Sequence, residues 1–136
     1  MYENSIGDSY PKKGDYEFVK AKTEYTFYNP ATATPELIEE VFEIVNNREK
    51  AIRVLYIARS AIRHNVRDDL NRIHQPTKLI WGADDKITPI HTAEEFEKLI
   101  PGSELNVLQE CGHAPMMEHP HAFNMILDEF LTRVNN

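Results

Sequence analysis

The chain has 136 residues, and its 22 acidic residues against 15 lysines and arginines give a formal net charge of −7. This length predicts one domain or slightly more, the acidic balance argues against a nucleic-acid surface, and no apolar run approaches the roughly 20 residues of a membrane helix. The N-terminal residues lack the apolar core of a signal peptide, and the lone Cys111 excludes a disulfide framework, so we expect a soluble, cytoplasmic protein without membrane partners.

The first 30 residues are polar and aromatic without a steady period, and they predict a loop with one helical turn near residues 16–23. Aromatic side chains mostly serve burial, so a packed loop is favoured over the lining of a pocket. The aromatic residues concerned are Tyr2, Tyr10, Tyr16, Phe18, Tyr25, Phe27 and Tyr28.

Two amphipathic helices are predicted next. Thr34 can cap the first helix and Pro35 suits its first position, and apolar residues recur at helical spacing until the Asn46–Asn47 pair. Apolar residues of the two helices, such as Phe42, Val54 and Leu55, are expected to be core rather than substrate contacts. The second helix is predicted over residues 48–63, with arginines mostly off its apolar stripe. This stripe comprises Ala51, Val54, Leu55, Ala58 and Ile62.

From Pro76 onward the chain alternates short apolar runs with helical patterns, after a short helical turn predicted at residues 68–73. Strands that alternate with helices predict parallel pairing with a right-handed crossover, and therefore an α/β fold. The predicted elements are a strand at 78–81, a loop at 82–89, a helix opened by a Thr92–Glu95 capping box and reaching Ile100, a strand at 104–109, a loop at 111–115 and a helix that starts at Pro120.

Polar loops follow both predicted strands. The first loop carries Asp84 and Asp85, and the second carries His113 between two small residues. Because chemistry in open parallel sheets lies at the carboxyl ends of the strands, and neighbouring strands lie about 4.8 Å apart, we expect these side chains to meet. A carboxylate beside an imidazole can hold Nδ1–H, which leaves Nε2 free to take a proton from a nucleophile or from water.

Two motifs carry a resemblance to a known family. The sequence WGADDKITP at residues 81–89 resembles the W-G-x-x-D-x-x-x-P segment of α/β-hydrolase-fold enzymes, and CGHAPMMEHP at residues 111–120 resembles their C-G-H-x-x-x-x-E-x-P segment. The motifs occur in the family's order, with a helix between them. The resemblance implies a partial α/β-hydrolase fold, with a helical cap or lid over residues 1–75 and the C-terminal part of the core over residues 76–136.

The resemblance also implies roles for individual residues. It gives Asp85, rather than Asp84, the role of catalytic acid and gives His113 the role of base, with structural roles for Glu118 and Pro120 at the following helix. Without the motif, Asp85 would be interpreted as a turn carboxylate that caps the next helix, since Asp is common in loops.

The family's nucleophile lies in a G-x-S-x-G motif, and none is present among the serines considered, Ser5, Ser9 and Ser60. The chain therefore resembles the cap and C-terminal part of a longer enzyme whose nucleophile lies upstream, and we expect the chain alone to be inactive. The resemblance implies a serine esterase-type hydrolase acting on a small ester-like substrate, with carbon–carbon or carbon–halogen cleavage as alternatives, and it implies no metal or organic cofactor.

Other polar and sulfur-containing residues are interpreted without a catalytic role. No spacing of His119 and His121 with cysteines or carboxylates supports a metal site. Cys111 is interpreted as a small buried hydrophobic residue, and Met116 and Met117 as packing residues, although one of them could line the pocket beside the histidine.

A non-enzymatic alternative is a binding module. Two strands alone leave unpaired sheet edges, and the apolar faces of the cap helices lack most of a core, so the chain could act by association. This alternative predicts a homodimer or a swapped assembly.

Overall fold

The computed structural model describes residue 12 and residues 14–135 of the chain. Its helices and strands are α1 (Tyr16–Tyr25), α2 (Pro35–Asn46), α3 (Arg48–Arg63), β1 (Lys78–Gly82), α4 (Ile90–Leu99), β2 (Glu104–Leu108), α5 (Pro115–Glu118) and α6 (Pro120–Val134), with 3₁₀ turns at Pro30–Thr32 and Arg67–Arg72. The predictions that involve Tyr2, Ser5, Ser9 and Tyr10 fall outside the described residues.

The strands β1 and β2 form a parallel two-stranded sheet, which confirms the predicted pairing and the partial α/β fold. Lys78 lies opposite Glu104 at the start of the pair, and Gly82 lies opposite Leu108 at its end. The connecting helix α4 packs on β1 through an edge-on contact between Trp81 and Phe96, whose ring centroids are 6.2 Å apart. Because the strands are parallel and in register, the loops that follow them leave the same edge of the sheet.

Two compact units interleave along the chain. The first consists of the described residues up to Glu24 together with Ala33–Val66, and it contains α2, α3 and most of α1. The second consists of Tyr25–Thr32 together with the chain from Arg67 onward, and it contains the sheet. The predicted division between residues 75 and 76 stays a prediction.

Local capping groups set the bounds of α2 and α3. The Thr34 side chain accepts a hydrogen bond from the Leu37 amide at 3.3 Å and caps α2. Asn47 ends α2 and also caps α3, since its side chain accepts from the Lys50 amide at 3.0 Å. These bounds confirm the two helices predicted between residues 35 and 63.

The N-terminal helix α1 is longer than the predicted single turn, with 10 residues. At its start the Asp15 side chain accepts a hydrogen bond from the Phe18 amide at 3.2 Å. Tyr16 packs edge-on against Phe42 of α2, with ring centroids 5.3 Å apart. Capping and packing against a neighbouring helix therefore stabilise a segment whose own apolar period is weak.

The start of α4 and the presence of α5 differ from the sequence prediction. The Thr92–Glu95 capping box is wrong, because α4 begins at Ile90 and its N-cap is Pro89, without a side-chain cap hydrogen bond. Hydrogen bonds to Asp85 fix the preceding loop, so the helix starts ahead of the predicted cap. The chain also forms the short helix α5, which was not predicted and which begins at Pro115, the last residue of the predicted loop at 111–115.

Some apolar side chains expected in the core are exposed. Phe27 is buried, whereas its neighbour Tyr28 is 42% exposed. No residue of α3 is buried, so the expected core role is wrong for Val54 and Leu55, which are 55% and 43% exposed. None of the described helices is long and apolar enough to cross a membrane, and the cytoplasmic location stays a prediction.

Candidate active site

The carboxylate of Asp85 and the imidazole of His113 meet at the carboxyl edge of the sheet. Asp85 Oδ2 lies 2.9 Å from His113 Nδ1. The Asp85 side chain is 4% exposed and that of His113 is 41% exposed. Because an ionised carboxylate only accepts hydrogen bonds, Nδ1 carries the proton and Nε2 is the nitrogen that can take up another. The structure thus brings together the two residues to which the sequence assigned the acid and the base.

The Asp85 carboxylate is held by its own loop. Its Oδ1 accepts hydrogen bonds from the Ile87 and Thr88 amides, both at 2.8 Å, and its Oδ2 accepts from the Thr88 hydroxyl at 2.8 Å. Burial raises the pKa of Asp85, but the hydrogen bonds from the Thr88 amide, the His113 ring, the Thr88 hydroxyl and the Ile87 amide outweigh burial and lower it below the ordinary value. Asp85 is therefore an ionised partner for the imidazole at neutral pH.

Asp85 is a turn carboxylate that also contacts His113. It closes a turn by accepting the two amides that follow it, as a loop carboxylate does. It does not cap α4, whose N-cap is Pro89. Its second oxygen faces His113, so the turn fixes the orientation of the carboxylate that holds the ring.

Thr88 is a site residue that the sequence reasoning missed. Its hydroxyl donates to Asp85 and also lies 3.2 Å from His113 Nδ1, so it touches both members of the pair. The indole Nε1–H of Trp81 donates to the Thr88 carbonyl oxygen at 2.8 Å, which anchors this part of the loop on β1. A threonine three residues after an aspartate is a signal for such a side-chain turn.

Gly82 and Gly112 allow the two loops to come into contact. A Cβ on Gly82 would lie 2.0 Å from the Gly112 carbonyl oxygen, and a Cβ on Gly112 would lie 2.7 Å from both the Thr26 oxygen and the Tyr28 nitrogen. The second value shows that the glycine before His113 permits close approach of the two backbones. The His113 amide then donates to the Thr26 carbonyl at 2.9 Å.

A pocket of about 130 Å³ opens beside the pair. One methionine of the Met116–Met117 pair lines it, next to His113, in line with the expectation that one of them could do so. The lining residues are Ile80, Trp81, Gly82, Asp85, Thr88, His113, Pro115 and Met116. A space of this size, lined by His113, can admit a small reacting group.

The neighbouring titratable groups have other roles. Cys111 is fully buried, as expected, and burial raises the pKa of its thiol to about 11, with the charges of Glu118, Asp85 and Asp84 acting in the same direction. A thiol in that state is not a nucleophile at neutral pH. The ring nitrogen Nε2 of His119 donates to a backbone carbonyl oxygen at 3.0 Å, and no three His, Cys, Asp or Glu side chains among the described residues are grouped to hold a metal ion.

The serines among the described residues are Ser60 and Ser103. Ser60 belongs to α3, in the first unit. Ser103, which the sequence reasoning did not weigh, donates its hydroxyl to the Glu97 carbonyl at 3.2 Å. It precedes β2, so a strand of five residues separates it from the edge that carries His113, a length of about 17 Å.

Comparison with known proteins shows which family this chain resembles. Residues 26–120 match the alpha/beta hydrolase fold family. A 2-hydroxy-6-oxononadienedioate/2-hydroxy-6-oxononatrienedioate hydrolase from a Pseudomonas species is 34% identical over 78% of this chain and 38% of its own length. A monoacylglycerol lipase from Mus musculus is 32% identical over 60% of this chain and 24% of its own length.

Similarity to solved structures points the same way. An alpha/beta hydrolase enzyme from the metagenome of lagoon sediments at Mar Chica, Morocco, is 44% identical and superposes with a TM-score of 0.67 over 75% of this chain and 47% of its own. The chain thus spans about half or less of the length of these relatives. With the family match over most of its length, the parallel strand pair and the aspartate–histidine contact, the chain belongs to the α/β-hydrolase fold family.

Proposed function

We propose that this chain supplies the acid and the histidine of a serine-type hydrolase, with Asp85 orienting His113 and His113 acting as general base. The observation that carries the proposal is the 2.9 Å contact between Asp85 Oδ2 and His113 Nδ1. It fixes the ring in the tautomer that leaves Nε2 free, which is the arrangement that nucleophilic acyl transfer requires. The nucleophile lies upstream of this chain in the proposed enzyme.

In the proposed reaction, His113 Nε2 takes the proton of a serine hydroxyl as that oxygen attacks the acyl carbon of an ester. The imidazolium gives this proton to the departing alkoxide, which leaves as an alcohol and yields an acyl-enzyme. Water then attacks the acyl carbon, His113 accepts its proton and returns it to the serine oxygen, and the acid is released. Asp85, kept ionised by its hydrogen bonds, stabilises the imidazolium at both stages.

The relatives support hydrolysis and leave the substrate class to experiment. A monoacylglycerol is an ester, and the name of the lipase relative supports ester cleavage. The Pseudomonas relative is named for an oxo-dienedioate substrate, and its 34% identity supports cleavage beside a carbonyl as the alternative. Both reactions pass through attack at a carbonyl carbon, so both require the same base.

The decisive experiment extends the protein upstream. The coding sequence before Met1 is read for a strand followed by G-x-S-x-G, and the extended protein is labelled with a fluorophosphonate probe and assayed on p-nitrophenyl esters. Asp85→Asn is expected to lower kcat by up to about 10⁴-fold, and His113→Gln to abolish turnover. Asp84→Asn is the matched control, and the 136-residue chain alone is expected to be inactive.

The proposal fails if the extended protein carries no reactive serine. It also fails if Asp84→Asn and Asp85→Asn lower kcat equally, because the role of Asp85 rests on its position and not on charge in the loop. Ester hydrolysis by the 136-residue chain at the rate of the extended protein would exclude an upstream nucleophile.

A second candidate function, association, is favoured by the surface of α3. Tyr56, Ile57 and Ile62 of this helix are 66%, 69% and 63% exposed, and large exposed apolar surface marks association sites. We expect light scattering to show a dimer or a larger assembly that Ile57→Gln with Ile62→Gln disrupts. Met125→Gln is the control, because Met125 is 60% exposed on α6, and a monodisperse monomer would contradict the proposal.

A further inference from the structure

Glu118 joins the backbone of residues 28–29 to the loop that carries His113, the histidine loop (residues 109–114). Its Oε1 accepts a hydrogen bond from the Gly112 amide at 2.7 Å, directly before His113. Its Oε2 accepts from the Tyr28 amide at 2.7 Å and from the Asn29 amide at 3.3 Å. One carboxylate therefore ties the loop after β2 to a segment that lies about 90 residues earlier in the chain.

The segment at residues 26–29, which donates two amides to Glu118, also packs against the backbone at Gly112 and His113. The His113 amide donates to the Thr26 carbonyl at 2.9 Å, and Gly112 packs against the backbone of residues 26–28 so closely that no Cβ would fit. If the histidine loop moved away from residues 26–28, His113 Nδ1 would move away from Asp85 Oδ2, because the ring moves with its backbone. The position of the ring thus depends on contacts outside the sheet.

We propose that Glu118 is a positioning residue for His113, whose carboxylate holds the histidine loop against residues 26–29 and thereby keeps the ring on Asp85. The inference deepens the proposed function and rests on it, since it assigns a role relative to the proposed base. Glu118 is not among the residues that line the pocket described above, and its hydrogen bonds of 2.7–3.3 Å come from backbone amides, so it acts through the backbone.

The chemistry of the converging groups explains why a carboxylate occupies this position. All the groups that point at Glu118 from the two segments are hydrogen-bond donors. They are the amides of Gly112, Tyr28 and Asn29 and the thiol of Cys111, whose Sγ lies 4.0 Å from Oε1. A carboxylate only accepts, with two oxygens, and serves both segments at once. A glutamine in its place has one oxygen, and its NH₂ group would face a donor on one side.

The test uses the isotope-labelled 136-residue chain and nuclear magnetic resonance. Two signals are followed: the Nδ1 proton of His113, which hydrogen bonding to Asp85 protects from exchange, and amide exchange at Gly112 and Tyr28. Glu118→Gln keeps the size of the side chain, and Glu118→Ala removes both acceptors. Glu94→Gln on α4 is the charge-matched control, and Asp85→Asn serves as the reference for a broken pair.

In Glu118→Gln we expect amide exchange to accelerate about tenfold or more at Gly112 or at Tyr28, because hydrogen bonds to a charged acceptor are the strong ones. In Glu118→Ala both amides should accelerate and the His113 Nδ1 proton signal should be lost, while Glu94→Gln keeps all three signals. A role in stability alone would lower the melting temperature and leave the Nδ1 signal of the folded protein in place.

The outcomes separate the two proposals. If Asp85→Asn abolishes the His113 Nδ1 signal and Glu118→Ala preserves it, the positioning role of Glu118 is overturned and the proposed function stands. If Asp85→Asn leaves the signal unchanged, Asp85 does not hold the ring, and both proposals fail together.

Discussion

Gly82 and Gly112 pack so closely that a Cβ on Gly82 would lie 2.0 Å from the Gly112 carbonyl oxygen. The two glycines end the first strand and precede the histidine, so they belong to the two motifs that suggested the family. Their contact is reinforced by the Asp84 amide, which donates to the Cys111 carbonyl at 2.9 Å. The small size of these residues is therefore a condition for bringing Asp85 and His113 together.

The first prediction concerns Gly82→Ala. The added methyl group meets backbone atoms, which cannot move aside as a flexible side chain would. We expect the substitution to lower the free energy of unfolding by about 1–3 kcal/mol, the usual cost of overpacking, as measured by urea denaturation. Gly14→Ala is the control, because nothing lies within 4 Å of its added Cβ. Equal stability of the two variants would contradict the packing described here.

The second prediction concerns the dependence of stability on pH. The pKa of Asp85 in the folded chain lies below its ordinary value of 3.8, despite burial, because of its hydrogen bonds. The ionised carboxylate therefore stabilises the fold above that ordinary value, and this contribution is lost as the pH falls through the lower, folded-state pKa. Acid titrations of unfolding should show a smaller loss of stability in Asp85→Asn than in the wild type, and parallel curves would exclude this role.

The third prediction concerns Thr88→Val. Valine keeps the shape of threonine but removes the hydroxyl that donates to Asp85 at 2.8 Å. We expect a loss of about 1.5–3 kcal/mol in the free energy of unfolding, since the acceptor is charged, and a rise in the pKa of Asp85, measured by carbon-detected resonance. Thr92→Val is the control: Thr92 lies inside α4 and does not cap it. A cost of the same size at Thr92 would restore the capping box.

The fourth prediction concerns the reactivity of Cys111. The thiol is fully buried, and burial, followed by the charges of Glu118, Asp85 and Asp84, raises its pKa to about 11. We expect iodoacetamide to leave Cys111 unmodified in the folded chain at neutral pH and to modify it fully in denaturant, as followed by mass spectrometry. Rapid modification of the folded chain would indicate an accessible thiolate.

The elements that local groups determine could be predicted from the sequence. Thr34 and Asn47 cap their own helices, so the bounds of α2 and α3 followed from a few neighbouring residues. The start of α4 could not be predicted in the same way, because hydrogen bonds to Asp85 shape the loop before it. The pattern was right that the segments of α2, α3, α4 and α6 are helical, and it was wrong about the start of α4, where a side chain outside the helix shapes the preceding loop.

In the candidate site too, residues within local motifs could be predicted, whereas contacts between distant segments could not. Asp85 and His113 could be named because each lies in a motif and follows a predicted strand. The bonds of Glu118 to Tyr28 and Asn29 span about 90 residues and left no local pattern in either segment. The exposure of α3 was missed for a related reason. An apolar stripe shows that one face of a helix is suited to burial, but it does not show which segment packs against that face.

The interleaving of the two units has a practical consequence for anyone who trims this protein. A recombinant piece that began at Pro76 would retain both strands, Asp85 and His113, yet it would lack the Thr26 carbonyl that receives the His113 amide and the amides that Glu118 accepts. Such a piece would therefore lack the backbone segment against which His113 packs. A shortened version that lacked only Ala33–Val66, with a linker across the gap, would retain that segment, because Tyr25–Thr32 belongs to the same unit as His113.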